Sequence, residues 1–598
     1  MAVARTIPTV ANPDLFTCTV KVDGQAISRE YQVSSISVHK EVNKIPWCKL
    51  RIIDGSAADE TFAISDKEDF VPGKTIEVAF GYHTQETTVF KGLIIKHSNT
   101  VSTRSSDLLL ECRDAAVKMT IGRNSRHFND VTDSDVAEEL IGAYAGVTAE
   151  VEATAITHKN LVQFDTTDWD FIVSRMDLLA KICVASDGVL AIKAIDLAAE
   201  KKLDVLFGAT IYDYRGEIDA RNQYKAVEAA SWDYTTQEVL LTDAQEPSFA
   251  EPGNISNTTL AETTAPEKFR LIHSGKLPQE QLQAWADAKL LKNRLSKIRG
   301  TVKFQGFPDL LPGDFIGLNG VGQRFNGNVI VSAVHHEASG GNWSTEVTFG
   351  LEPGWFAETV ENNNQGRQLG LIAQVQGLQV GIVTQLQSDP DAENRIKVRI
   401  PVLNSSEEGV WARVATLDAG NNRGTFFLPE IGDEVIVAFI NNDPNHAVVL
   451  GMLNSSAKPA PLEAKDDNHE KGYVSRSGMK MIFNDDEKSF KLETPAGKKI
   501  TLSEKDNLIQ VEDENGNKIK MEPAGVEIES SAVMKLKAGG DLTIEAVNIT
   551  LSPSANFAVG SGGAEISVGG GSTAIKAPSV KVEGSGITEI KGGLVKIN

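Results

Sequence analysis

Between residues 15 and 120, apolar and polar positions alternate in short runs. Examples are Phe16-Thr17-Cys18-Thr19-Val20, Ile76-Glu77-Val78-Ala79-Phe80 and Val89 to Ile95, with Pro72-Gly73 among the turns between them. Alternation sends successive side chains to opposite faces, so this stretch predicts half-buried strands in a barrel or sandwich. The period changes over Thr132 to Ala145, where Val136, Leu140, Ile141 and Tyr144 share one helical face behind an Asp/Ser cap. A second helix is expected after Gln163. Thr167 and Asp170 form its capping pair, Ile172, Met176, Leu179 and Cys183 its apolar stripe, and Gly188 its stop. A third runs from about Pro278 to Ile298 and closes before Gly300. Gln245 to Glu267, rich in Pro, Ser, Thr and Asn, reads as a surface loop. Strands resume over 300–351, with turns at Leu311-Pro312-Gly313-Asp314 and Phe325-Asn326-Gly327. Glu361 to Gly370 is too polar to pack and marks a boundary.

From Leu371 to Leu453 five strand patterns occur in about 80 residues: Gly377 to Thr384, Arg395 to Ile400, Val410 to Ala415, Gly432 to Phe439 and Ala447 to Gly451. That density predicts a small closed barrel of the OB type, packed by Trp411, Phe426, Phe427 and Phe439. Residues 454–474, with Lys458-Pro459-Ala460-Pro461, read as a linker.

After about Ser475 aromatic residues nearly vanish and apolar pairs recur roughly every eight residues: Val526/Ile528, Met534/Leu536, Leu542/Ile544, Ile549/Leu551, Phe557/Val559, Ile566/Val568, Val580/Val582 and Val595/Ile597. Gly, Asp, Asn, Pro and Ser fill the gaps, so each step reads as one short strand and one bend. A single-chain β-helix needs about 18 or more residues for each coil, so this unit supplies one wall of a prism and three chains supply three. A homotrimeric, triple-stranded β-helix is therefore expected over 475–598. An ordinary β-sandwich is the competing reading, and the shortage of Phe, Tyr and Trp counts against it.

The chain has 598 residues, with 50 glycines and only 6% aromatic residues, which suits several β-rich domains. A formal charge of -22 and the lack of a basic, aromatic-laced stripe argue against nucleic acid as a partner. Cys18, Cys48, Cys112 and Cys183 form no CxxC pair, which suits reduced thiols made in a cytoplasm. Met1 to Asp14 lacks the apolar core of a signal peptide, so no cleaved signal is expected.

The search for chemistry yields little. Asp485-Asp486 is an acidic pair without a sugar-binding aromatic platform. His335-His336-Glu337 lacks the HExxH spacing, and neighbouring strand residues face opposite sides. Gly560 to Gly571 lacks the Lys-Ser/Thr of a phosphate loop. No catalytic residue, metal ligand or cofactor site is expected, and the chain is read as no enzyme. The barrel is expected to act as a spacer instead of a binder of single strands or sugars.

Five segments carry a family resemblance. Gln163-Phe164-Asp165-Thr166-Thr167-Asp168-Trp169-Asp170-Phe171-Ile172 and Gly300 to Asp314 resemble hub motifs of the VgrG spikes of type VI secretion. Arg395 to Pro401, Trp411-Ala412-Arg413-Val414 and Phe427 to Val435 resemble the barrel motifs of the same family, which has relatives in extracellular contractile injection particles and contractile-phage tails. The order of parts covers nearly the whole chain. It implies a mainly β protein with some α: a hub domain with β-barrels and helices at 1–360, an OB-fold barrel at 371–453, the linker, and a spike at 475–598.

Some phage needle proteins carry a lysozyme-like domain between barrel and rod, where only the short linker stands here, and a toxin fused after Asn598 is not expected. The resemblance further implies a structural spike that joins tube and baseplate proteins through the hub, meets a target membrane transiently and carries cargo effectors. It would be made in a bacterial cytoplasm and delivered extracellularly or into a target cell. A PAAR-like tip protein is expected on Ile590, Val595, Ile597 and Asn598, with no metal at the tip because the last histidine is His469. The alternative is a trimeric tail-spike or adhesin that degrades polysaccharide. Carboxylates beside aromatics on the rod would favour it, but Phe557 is the only aromatic after Phe490.

Overall fold

The computed structural model describes residues 15–233, 236, 238–264, 266–273, 275–359, 375, 377–401, 409–555, 557 and 578–597. The boundary at Glu361 to Gly370, the start of the barrel segment at Leu371, the glycines Gly560 to Gly571, the repeat members Val559, Ile566 and Val568, the segment Met1 to Asp14 and the tip residue Asn598 lie outside the described residues. The described chain divides into two compact units, Met1–Pro459 and Ala460–Asn598.

In the first unit the alternating runs become strands of a thirteen-stranded sheet. Trp47–Ile53 shows the mechanism: Cys48, Leu50 and Ile52 are fully buried while Lys49, Arg51 and Ile53 point out. Val33–Glu41 pairs antiparallel with Gly327–Ser339, from Ser35 opposite Ser339 to Glu41 opposite Ala333. This single ladder joins the N-terminal strands to those of the same sheet that lie between residues 203 and 349. Each half has its own core: Val38, Leu50, Val78, Phe80, Phe90 and Leu110 in one, Val302, Ile316, Leu318, Val347 and Phe349 in the other.

Helix α1 spans Asp133–Gly142. The Thr132 hydroxyl accepts from the Asp135 amide and the Asp135 carboxylate accepts from the Thr132 amide, a complete capping box. Helix α2, Asp168–Asp177, is capped by Thr167, which accepts from the Asp170 amide. It stops well before Gly188. Ala180 takes a left-handed φ of 56°, and Lys181–Ser186 is a strand paired with Val189–Ala194. Cys183 is thus a strand residue, and Gly188, at φ 88°, sits in the hairpin turn. The stretch read as a loop contains a two-turn helix α3, Asn257–Thr264, and α4 spans Gln279–Leu295. The apolar face of α4, with Leu282, Trp285, Ala286 and Leu290, packs on the sheet built from Val227–Asp233, Glu238–Asp243 and Phe269–His273. No helix among the described residues is long and apolar enough to cross a membrane.

A closed barrel follows, made of Gln379–Gln385, Ile396–Arg399, Val410–Val414, Ala447–Met452 and Glu434–Phe439 in that spatial order. Val383, Val398, Val410, Val435, Val437 and Val449 fill it. Hub residues Val162 and Phe164 pack against the same cluster, so the strand Leu161–Thr166 docks on the barrel. Phe439 is buried as expected, but Phe426 and Phe427 are 81% and 50% exposed. They lie on an arm that leaves the barrel through the hairpin of Ala419–Gly420 and Arg423–Gly424, which carries them away from the core.

In the second unit the residues expected to begin the rod pair within the chain instead. A seven-stranded antiparallel meander runs from Glu470–Val474 to Gly525–Glu529. Its first strand falls inside the stretch read as linker. Glu-Lys-Gly-Tyr-Val looks polar by itself and becomes a strand by pairing with Lys480–Asn484.

Candidate functional site

The meander is one layer thick, and its register sorts its side chains. Met481 stands opposite Leu492, Leu492 opposite Ile500, Ile500 opposite Val511, Val511 opposite Ile519, and Ile519 opposite Ile528. A parallel row runs from Phe483 through Phe490, Leu502 and Ile509 to Met521 and Val526. Directly opposed residues share a face, so these two rows form one continuous apolar surface. The other face carries Lys480, Lys491, Lys499, Thr501, Gln510, Glu512, Lys518 and Lys520, with Val474, Ile482 and Leu508 as its apolar exceptions. There Lys499 meets Glu512 at 3.6 Å and Lys518 meets Glu529 at 2.6 Å. Such exposed pairs contribute at most about 1 kcal/mol each. Water covers the apolar rows of a single chain: Ile500, Leu502, Ile509 and Val511 are 39–48% exposed.

Beyond Glu529 the described residues are extended segments between bends, and no backbone-to-backbone hydrogen bond joins them to another part of the chain. Leu536, Leu542, Ile544, Ile549 and Leu551 are all more than half exposed. Exposed aliphatic side chains beside backbone groups without backbone partners are the kind of surface that added strands can cover. Of the expected tip residues, Ile590, Val595 and Ile597 are 67%, 45% and 85% exposed.

The candidates for chemistry sit elsewhere. Asp485 and Asp486 occupy an exposed turn, where Asp485 pairs with Lys471. His335 is half-buried beside His39 and Trp47, while His336 is 2% exposed and hydrogen-bonded through Nδ1 to the Thr345 hydroxyl at 3.0 Å. Burial, with Lys40 and His335 adding positive charge, pushes His336 down to about 3 from 6.5. Below pH 6.5 the unfolded chain therefore takes up a proton that the folded chain refuses. Stability contributed by neutral His336 is complete above that pH and falls by about 1 kcal/mol per pH unit on acidification. Urea titrations between pH 7 and 5 should show this slope in the wild type and a shallower one in His336→Asn, whatever the substitution does to stability at pH 7.

A cluster that the sequence reading missed is His273, Asp443 and His446, whose donor atoms lie within 4.8 Å of one another. His273 ends a hub strand and the other two lie in a barrel loop, so no local spacing announces them.

A family model described as the Alg8 N-terminal domain matches residues 12–340. Another, described as the type VI secretion system/phage-baseplate injector OB domain, matches residues 379–453. The chain is 32% identical over 85 residues to the type VI secretion system spike protein VgrG1a of Pseudomonas aeruginosa, a stretch covering 14% of this chain and 13% of that protein. It is 34% identical over 100 residues to the spike protein VgrG3 of Vibrio cholerae, covering 16% of this chain and 10% of that one. The matched stretch is thus a small part of these relatives' own length. A chain of the lidded Francisella PdpA–VgrG complex superposes with a TM-score of 0.51 at 9% identity, over 87% of this chain and 81% of that chain, a likeness of fold.

Proposed function

Because this chain belongs to the family described as the Alg8 N-terminal domain and is a VgrG-like spike protein, we propose that three copies form the spike of a contractile injection apparatus and are driven through a target membrane. The carrying observation is the uncovered apolar face of the meander, continued by segments whose described residues make no backbone-to-backbone hydrogen bond to the rest of the chain. Its occupants are the second and third copies. Each copy presents the same rows, so three sheets packed face to face around an axis bury all of them. Full burial of a Val, Leu or Ile contributes about 1.5–3 kcal/mol and these side chains begin about half-buried, so the rows of three chains together still supply a large term against the entropy of association. Further along, three extended chains give each strand edge a partner and produce a stiff rod.

In this reading the hub, residues 1–360, meets the tube and baseplate proteins, and the barrel, residues 371–453, spaces hub from rod. The linker at 454–474 leads into the spike at 475–598. The assembly works mechanically, without turnover, and carries effectors as cargo. Light scattering on full-length protein should give the mass of three chains, and imaging of the intact particle should place the chain at the tip of a contractile tube. A stable folded monomer at micromolar concentration contradicts the reading.

The proposal extends to the tip. Ile590, Val595 and Ile597 offer apolar side chains to a small PAAR-like cap, and Asn598 is assigned to the same contact. Replacing Val595 and Ile597 with Asp should abolish recovery of the cap in a pull-down and leave the trimer intact, because the upstream rows still hold it. Equal recovery by wild-type and substituted protein would remove the tip assignment.

A further inference from the structure

We infer that His273, Asp443 and His446 form a site for one divalent transition-metal ion of the zinc class, which pins the barrel to the hub. Two imidazoles and one carboxylate form the kind of mixed nitrogen and oxygen donor set that zinc takes, whereas magnesium and calcium call for oxygen ligands. The spacing fits. A tetrahedral ion with bonds of about 2.0–2.1 Å holds its ligands about 3.3–3.4 Å apart. Asp443 Oδ2 lies 3.3 Å from His273 Nε2 and 3.8 Å from His446 Nε2.

The surroundings orient Asp443 and His273. Asp443 Oδ1 accepts from the backbone amide and the side-chain amide of Asn445, both at 2.9 Å, which turns Oδ2 towards the imidazoles. His273 Nδ1 stands 3.1 Å from the Gly275 carbonyl. The Gly275 amide lies 3.2 Å from the same nitrogen, so both tautomers find a partner there; in the one that donates Nδ1–H to the carbonyl, the Nε2 lone pair faces the cluster, the arrangement in which metal-bound histidines are usually held. His273 is 1% exposed, yet its Nε2 has no aligned hydrogen-bond partner despite the nearby carboxylate. A buried polar atom in that state costs stability unless something satisfies it.

Gly275 makes the approach possible. A Cβ there would stand 2.8 Å from His273 Cε1 and 2.9 Å from His446 Cγ, so any side chain would push the rings apart. The nearby Arg395 is no obstacle to a cation, because Asp389 and Asp391 each hold its guanidinium at 2.6 Å. The His446 side chain keeps 18% exposure, so the cluster touches solvent through that ring.

The ligands also come from the two parts that must stay in register. His273 closes the hub strand Phe269–His273, and Asp443 and His446 lead into the barrel strand Ala447–Met452. The same loop is already tied to the hub, since the Val162 amide donates to Asn445 Oδ1 at 3.0 Å. A metal bridge would fix the barrel on the hub more rigidly than that hydrogen bond and the packing of Val162 and Phe164 alone.

The test uses full-length protein stripped with a chelator and titrated calorimetrically with zinc. One ion per chain is expected, with a rise in melting temperature, and His446→Gln should weaken binding at least tenfold while melting with the stripped wild type in the presence of chelator. Cobalt(II) added to stripped wild-type protein should give the intense visible absorption of a tetrahedral site, a readout that needs no variant. Failure of the folded, stripped protein to take up zinc would overturn the inference. So would equal affinity in wild type and His446→Gln, equal uptake of magnesium, or a cobalt spectrum of the hydrated ion.

Discussion

Replacing Ile500 and Val511 together with Asp should leave the full-length protein monomeric at micromolar concentration. The two residues are directly opposed in register, at the middle of one of the two apolar rows. In the trimer this places two carboxylates from each of three chains in the most apolar layer of the axis. Every replacement removes about 1.5–3 kcal/mol of burial and adds a charge that must be desolvated or must separate the sheets. The hub and barrel should keep their circular dichroism, because neither row contributes to their cores. Thr501→Asp, one residue away on the polar face, should remain trimeric. Sedimentation velocity separates these outcomes, and a trimer that survives the double substitution would show that the apolar face is covered by something else.

The second large effect lies inside the hub. Asp133→Ala should cost about 3–5 kcal/mol, because it strands a buried guanidinium. Arg175 Nε donates to Asp133 Oδ1 at 2.6 Å, His158 Nε2 lies 2.8 Å from Oδ2, and Arg175 is only 4% exposed. Burial by itself would raise the Asp133 carboxyl. The charge of Arg175 and the hydrogen bonds from His158 and Arg175 outweigh it and hold the group at about 2, down from 3.8. Its contribution to stability is therefore complete above pH 3.8 and lost as pH falls through about 2. Urea denaturation of the wild type, Asp133→Ala, Arg175→Met and the double variant provides the measurement. The double variant should lose less than the sum of the single variants, since it leaves no unpaired charge. Additive losses would show that the pair is not coupled.

What was legible in the chain was what short-range physics decides. Thr132 and Thr167 cap their helices through amides three residues on, so the starts of α1 and α2 could be read directly. Period-2 alternation and the crowding of five short strands marked the barrel, and the apolar pairs from Val526 onwards marked a surface that one chain cannot bury by itself. The end of α2 was not legible. Leu179 and Cys183 continue its apolar stripe, and only the left-handed turn at Ala180 and the pairing of Lys181–Ser186 with Val189–Ala194 separate helix from strand.

Tertiary structure decided everything that depends on residues distant in sequence. The ladder between Val33–Glu41 and Gly327–Ser339 joins the two halves of the hub sheet, although neither strand names its partner. The hairpin arm took Phe426 and Phe427 out of the core in which composition had placed them. His273 met Asp443 and His446 only because the hub docks on the barrel, and three isolated residues carry no spacing until that docking exists. The physical reason is common to all of these. Caps and periodicities are stabilised within a few residues and leave their mark in the local sequence. Strand partners, arm directions and ligand sets follow from the packing of surfaces that meet only once the chain has closed.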